Sequence, residues 1–270
     1  MLSKNKLYMQ DIERVIKNIP IEGLKNKSIF ITGTCGLICS SIVDTLIYIN
    51  DRYDGNINVY ASGREIGSIK KRFVNYIDRE DFHFIQYDVN EKLQLNCKID
   101  FIIHGASNAN PALYVSEPVE TILTNIIGIN NLLAFSAENK VERVLNISSS
   151  EVYGLKENEN LYTEEEYGYV DILNSRACYP SSKRTAETLA SAYNAEYGVD
   201  VVIVRPGHVY GPTMSNSDNR AASSFARNII DNNDIVMKSE RKTNSILLLC
   251  VRLCVCYFKC VSKWKKCRSL

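Results

Sequence analysis

The chain has almost no surplus of either charge: 32 Lys and Arg stand against 31 Asp and Glu over 270 residues, a formal net charge of +1. No broad field gathers nucleic acid or an anionic membrane, so neither is expected among its partners. A continuous apolar run is also missing from the opening stretch MLSKNKLYMQDIERVIKNI, which carries Asp11 and Glu13. That fits neither a secretory signal nor an acid-poor transit peptide, and a cytoplasmic location is expected. Internal repeats and low-complexity linkers are lacking. What is present is ordinary globular composition, 45% hydrophobic and 23% charged, enough to bury a full core in one large domain or two unequal ones. Cysteine is unevenly spread: of nine, five (Cys250, Cys254, Cys256, Cys260, Cys267) fall in the last 21 residues. Their spacing is not the paired spacing of a zinc site, and no metal is expected.

From 28 to 205, short β-rich apolar runs alternate with longer stretches of helical period, the pattern of a parallel sheet with crossover helices. Strands are predicted over 28–32, 58–62, 83–88, 100–105, 144–148 and 201–205, and helices near 40–49, 66–78, 117–139 and 179–197. Pro118 sits where a first helical turn tolerates proline. The class is α/β with a doubly wound parallel sheet. The connection 154–178 is too long for a routine turn, is rich in Glu and Tyr, and is expected to border a site.

The first strand runs through Thr32-Gly33-Thr34-Cys35-Gly36-Leu37-Ile38-Cys39 into a helix. Such a turn brings backbone N–H groups and a positive helix end to one point, which suits a pyrophosphate, though an isolated two-glycine match is also an ordinary turn. Cys39 takes the place where a third small residue lets helix pack on strand, and is expected to loosen that contact. Ligands of open α/β sheets lie beyond strand ends. There the sequence places His104, Gly105 and Ala106, with a satisfied core histidine as the plainer role for His104. It also places Asp88 and Val89, where the carboxylate can meet an adenine amino group or equally cap a helix.

Ser148-Ser149-Ser150-Glu151-Val152-Tyr153-Gly154 follows the fifth strand, and Tyr179-Pro180-Ser181-Ser182-Lys183 opens a helix. Tyr179 and Lys183, four residues apart, project from one face. An ammonium beside a phenol lowers its pKa from about 10 toward the working range, making a general base for a sugar hydroxyl. Ser149 then hydrogen-bonds that hydroxyl and Glu151 supplies a second proton-transfer group. Either half alone is commonplace; together with the glycine turn and the strand order, the constellation points to a dinucleotide-dependent site.

In this order the elements resemble the extended short-chain dehydrogenase/reductase family that acts on nucleotide sugars. The resemblance spans about 25–238 and is nearest to its UDP-glucuronate decarboxylase group, through RACYPSSKRTAETL, the Ser-Ser-Glu-Val-Tyr-Gly run, HGASNANPALYVSEPVETILTNIIG and VRPGHVYGPTM. It implies a Rossmann-like sheet at 28–210 behind a leading helix and turn at 1–27. A small, incomplete C-terminal substrate lobe would begin at 211–238. It implies that Gly33, Gly36, Leu37 and Ile38 cradle cofactor phosphates, Asp88 and Val89 hold adenine, and Ala106 and Ser107 line the cofactor channel. Tyr179 is the implied base, Lys183 its partner and ribose ligand, Ser149 the hydroxyl-binding serine and Glu151 a second acid/base. Arg205, Pro206, His208 and Tyr210 fall where the family meets nicotinamide and sugar nucleotide; His208 replaces the usual asparagine.

The second strand ends Ala61-Ser62-Gly63-Arg64, without the acid that binds an adenosine ribose diol. Arg64 can instead meet a 2′-phosphate, so NADP stays open. NAD is favoured because the resemblance implies a cofactor reduced and reoxidised within one turnover. The implied chemistry runs through a 4-keto sugar, with decarboxylation ranked ahead of 4-epimerisation and 4,6-dehydration. A chain that binds a dinucleotide and turns over nothing is the alternative of another class. A homodimer is implied for an intact member.

After Met237 the texture changes. The apolar stretch 246–258 is too short to span a membrane, and SKWKKCRSL follows neither a helix nor a strand period. Reverse-translated and read one nucleotide later, 246–270 permits FYCYVSDCVSAILNVLVNGKNAEAY, which looks like the family's next segment. Trp264, with its single codon, then yields glycine. Residues 239–270 are therefore expected to be a frameshifted, non-native tail, poorly packed, with activity weak or absent.

Overall fold

The computed structural model describes residues 2–156, 162–214, 218, 220–236 and 247–263. All six expected strands form, each within two residues of its predicted ends: β1 (Ser28–Thr32), β2 (Asn58–Gly63), β3 (Phe82–Gln86), β4 (Phe101–His104), β5 (Arg143–Ile147) and β6 (Val201–Val204). They make one parallel sheet in the order β3-β2-β1-β4-β5-β6. The order reverses between β1 and β4, so the loops leaving those two strands part and open a crevice at the sheet's carboxyl edge.

The helices are α1 (Lys6–Ile16), α2 (Leu37–Tyr53), α3 (Ile66–Arg72), α4 (Pro111–Ser116), α5 (Pro118–Asn139), α6 (Cys178–Tyr197), α7 (Ala221–Ile230) and α8 (Cys250–Lys263). Side chains alternate across β1: Ile29 and Ile31 pack with α1, α2, α3 and α8, whereas Phe30 packs with α5 and α6. The result is three layers, each helix sheet-facing side apolar. Pro118 occupies the first turn of α5, and Lys140 closes that helix in the left-handed region. Gly198, at φ +71°, does the same for α6. By length and composition α5 is also apolar enough to cross a membrane, but its apolar stripe is spent on the sheet through Ile129, Leu132 and Leu133.

Short α4 and α7 lie outside the predicted helices. Past the sheet, β7 (His208–Tyr210) pairs in parallel with β8 (Leu247–Leu249). Expected poor packing of the tail does not hold for α8. Cys250, Val251, Cys254, Tyr257, Phe258 and Val261 are buried against α1, α2 and β5, because a helix of these residues has one wide apolar face. The fit is incomplete in one respect: among the described residues, the fully buried Tyr257 hydroxyl has no hydrogen-bond partner. Residues 237–246 and 264–270, with the reading-frame junction, Trp264 and Cys267, lie outside the described residues.

Candidate active site

The turn after β1 forms the crevice floor. Gly33 has φ +68°, and a Cβ there would come within 2.8 Å of the Ala106 nitrogen and the Gly105 oxygen, so glycine is required by both backbone and space. Gly36 caps α2 in an extended conformation with no side-chain hydrogen bond to the first turn. The N–H groups around Leu37 and Ile38 are thus left to an outside acceptor, and the residues fit a bound pyrophosphate. Cys39 is buried and touches the space over Gly105, where an added Cβ would collide with its sulfur. The strand-to-helix contact stays close because Gly105, not residue 39, supplies the room.

Across the crevice, Thr32 and His104 are register partners, and Thr32 Oγ1 lies 2.9 Å from His104 Nδ1. Burial pushes the imidazole pKa down to about 3. His104 is therefore a satisfied, neutral core histidine. Thr32 Oγ1 also accepts from the Gly105 and Ala106 nitrogens, both at 3.2 Å, which fixes the β4 exit. Ser107 donates to Asn125 at 2.7 Å, Asn125 donates to Ser182 at 2.9 Å, and Ser182 donates to the Tyr179 carbonyl at 3.1 Å. This chain of bonds ties the expected channel residue to the first turn of α6. Asp88 accepts from the Asn90 nitrogen at 3.0 Å inside a turn, with no helix at this point for it to cap, while Val89 is buried under Gly128. Arg64 is exposed at the end of β2, its carbonyl held by Gln86; Ser62 turns its hydroxyl inward to the Ile31 carbonyl.

Tyr179 and Lys183 are both buried on one face of α6, with the Lys183 nitrogen 5.8 Å from the Tyr179 ring centre. The ammonium donates to the Ile147 carbonyl at 3.0 Å, and burial brings its pKa down to about 8. The net shift of the phenol runs opposite to the acidification expected from Lys183. Burial raises the Tyr179 pKa above its ordinary value, and the pull downward comes chiefly from the Ser149 hydroxyl. Ser149 caps the 3₁₀ turn 150–153, accepting from the Glu151 nitrogen at 3.2 Å. Glu151 receives Arg176 Nη2 at 3.2 and 3.1 Å.

Two contributors escaped the sequence. Tyr114, from α4, stacks on Tyr179, and the Arg176 guanidinium lies 4.5 Å over the Tyr114 ring centre. The only signal for Tyr114 was its place after Asn110-Pro111, a cap-and-proline helix start. Arg205, expected at the cofactor, is turned into the protein. Its guanidinium is bound by Glu187, Glu164 and Tyr167 because β6 ends facing α6. Pro206 keeps its backbone at the strand exit, accepting from the Ser150 nitrogen at 3.0 Å. His208 and Tyr210 stand exposed on β7.

With this geometry in place, relatives can be compared. The model of the NAD dependent epimerase/dehydratase family matches residues 29–244. The chain belongs to that family. UDP-glucuronic acid decarboxylase 1 of Xenopus tropicalis is 35% identical over 226 residues, 80% of this chain and 50% of that protein. UDP-glucuronic acid decarboxylase 6 of Arabidopsis thaliana is 36% identical over 200 residues, 74% of this chain and 56% of that one. The chain thus spans about half the length of these curated relatives. Among solved structures, UDP-N-acetylglucosamine 4-epimerase from Methanobrevibacter ruminantium superposes with a TM-score of 0.76 at 22% identity, over 91% of this chain and 76% of that one. The dTDP-glucose 4,6-dehydratase DesIV of Streptomyces venezuelae, solved with NAD, gives 0.75 at 19% identity, over 89% of this chain and 74% of that one. Both share the fold. Family members are enzymes that depend on NAD, and the glycine turn described above suits that cofactor.

Proposed function

We propose that the chain modifies a nucleotide sugar through oxidation at C4, with UDP-glucuronate decarboxylation as the reaction. The observation that carries this is the grouping of Tyr179, Ser149 and Glu151 at the crevice mouth, Glu151 held by Arg176 within reach of the tyrosine helix. Bound NAD supplies the hydride acceptor. Gly33, Gly36, Leu37 and Ile38 hold its phosphates, and Ala106, Ser107 and Lys183 line its channel. Tyr179 takes the proton of the sugar 4-hydroxyl, which Ser149 orients. A ketone at C4 lies β to a carboxylate on C5, so carbon dioxide leaves with its bonding electrons passing to the ketone as an enolate. Glu151, tethered by Arg176, is placed to relay a proton taken from water to C5, and return of the hydride to C4 with the Tyr179 proton to its oxygen completes a pentose.

Support for decarboxylation over its alternatives comes from the curated relatives and from two positions. Dehydratases of this family usually carry aspartate where Ser150 stands, and epimerases usually lack a carboxylate at the place of Glu151. Residues 28–210 serve as the dinucleotide-binding domain, and 211–238 begin the substrate lobe. The proposed setting is cytoplasmic, and a second copy of the chain is the proposed protein partner; Val119 and Leu123 of α5 present exposed apolar surface for it. NAD titration by calorimetry, followed by turnover on UDP-glucuronate, UDP-glucose and dTDP-glucose, tests the reading. Saturable NAD binding with UDP-glucuronate consumed supports it; binding with no sugar consumed assigns a dinucleotide-binding chain without turnover.

A further inference from the structure

Arg205 and Glu187 form a buried pair beneath the site, their side chains 2% and 9% exposed. Arg205 Nε lies 3.0 and 3.2 Å from the two Glu187 oxygens, and Nη2 lies 2.6 Å from one of them. The remaining donors go to the connection before α6: Nη2 to the Tyr167 hydroxyl at 2.8 Å and Nη1 to the Glu164 carbonyl at 3.0 Å. The guanidinium also lies 5.0 and 5.2 Å from the ring centres of Tyr153 and Tyr167. Glu187 sits one turn beyond Lys183 and two beyond Tyr179 on α6, and it accepts from the Ser148 hydroxyl at 2.5 Å.

One carboxylate therefore joins three parts of the site. It holds the residue preceding Ser149, it belongs to the tyrosine helix, and through Arg205 it fixes the segment that ends at Arg176, the partner of Glu151. A second arginine holds the same stretch: Arg184 donates to the Gly168 carbonyl at 2.8 Å and to the Val152 carbonyl of the serine turn at 2.7 Å. A buried ion pair is weak as a source of stability, since desolvation offsets much of the attraction. What an apolar replacement could not supply is the set of directed bonds to a loop.

We propose that Arg205 is a positioning residue that anchors segment 162–177 over the substrate side of the crevice, held in place by Glu187, and is not a ligand of the cofactor. The sugar-nucleotide part of this rests on the function proposed above.

The test uses the whole chain as Arg205→Lys and Tyr167→Phe. Lysine keeps the charge but cannot make the forked contacts, and the tyrosine change removes one hydroxyl from a residue 58% exposed. A Glu-specific protease reports the segment through Glu164, Glu165 and Glu166, and calorimetry reports NAD and UDP-glucuronate. In Arg205→Lys, NAD affinity should stay within about twofold, while cleavage in the segment becomes about tenfold faster and UDP-glucuronate binds about tenfold more weakly. Tyr167→Phe should move the same two readouts by about threefold. Parental cleavage rates in both folded variants, or NAD affinity lost in Arg205→Lys with the segment still protected, overturn the proposal. Should Arg205→Lys not fold, Tyr167→Phe decides alone, and an unchanged cleavage rate counts against it. Failure of the parental chain to bind UDP-glucuronate sinks the sugar reading, while the protease and NAD readouts still judge the anchor.

Discussion

Tyr114 lies flat against Tyr179, the ring centres 4.4 Å apart and the planes 14° from parallel. The stack holds the phenol of Tyr179 in one orientation from the side opposite the helix. Replacing Tyr179 by phenylalanine keeps both rings and removes only the proton acceptor. Tyr179→Phe should bind NAD within about twofold of the parental chain and lose sugar oxidation by about 100-fold or more. Calorimetry and a turnover assay on an active parent check both halves, and near-parental turnover ends the assignment of Tyr179 as base.

Acid should find His104. Its pKa falls from 6.5 in an unfolded chain to about 3 in the fold because burial disfavours the imidazolium. The unfolded state then binds the extra proton first, so the contribution is fully present above pH 6.5 and is lost as pH drops toward 3. The slope is about 1.4 kcal/mol per pH unit inside that window. Denaturant midpoints of the parent should fall more steeply than those of His104→Gln as the solution is acidified. Parallel curves would mean that His104 is not buried as a neutral group.

Cofactor choice turns on Arg64, exposed where β2 ends without an acid. NAD should bind at least as tightly as NADP. A clear preference for NADP that disappears in Arg64→Ala would assign this arginine to a 2′-phosphate.

The six strands were legible because each is a short β-rich run, with β1, β4, β5 and β6 buried almost throughout, and the α6 pair was legible because a spacing of four on a helix is a spatial statement. What the sequence hid is contact between distant segments. Tyr114 against Tyr179, Arg176 on Glu151 and Arg205 on Glu187 join residues from 18 to 65 positions apart, and no local period announces such pairs. Burial was hidden too: it raises the Tyr179 pKa, with the Ser149 hydroxyl as the largest pull downward. In the tail, apolar residues found a helical face in α8 although the flanking sequence showed no period.

Burial of α8 does not address its reading frame. We propose, from the tail sequence, that one inserted or two deleted nucleotides near residues 239–241 changed the frame. The coding DNA read one nucleotide later should be open and continue into family-like sequence, and restoring that frame should raise turnover. Stops in the later frame would reject this and leave α8 as a native helix. The unpartnered Tyr257 hydroxyl would then need a buried water or a shifted rotamer.

The decisive measurement is mass-spectrometric product analysis after incubation of the protein, as it stands and in frame-restored form, with NAD and UDP-glucuronate. Oxidation at C4 followed by decarboxylation predicts a UDP-pentose and carbon dioxide in equal amounts, with no net reduction of NAD. A C4 epimer retaining its carboxylate, or an unchanged substrate in a preparation that binds NAD and UDP-glucuronate, would contradict it.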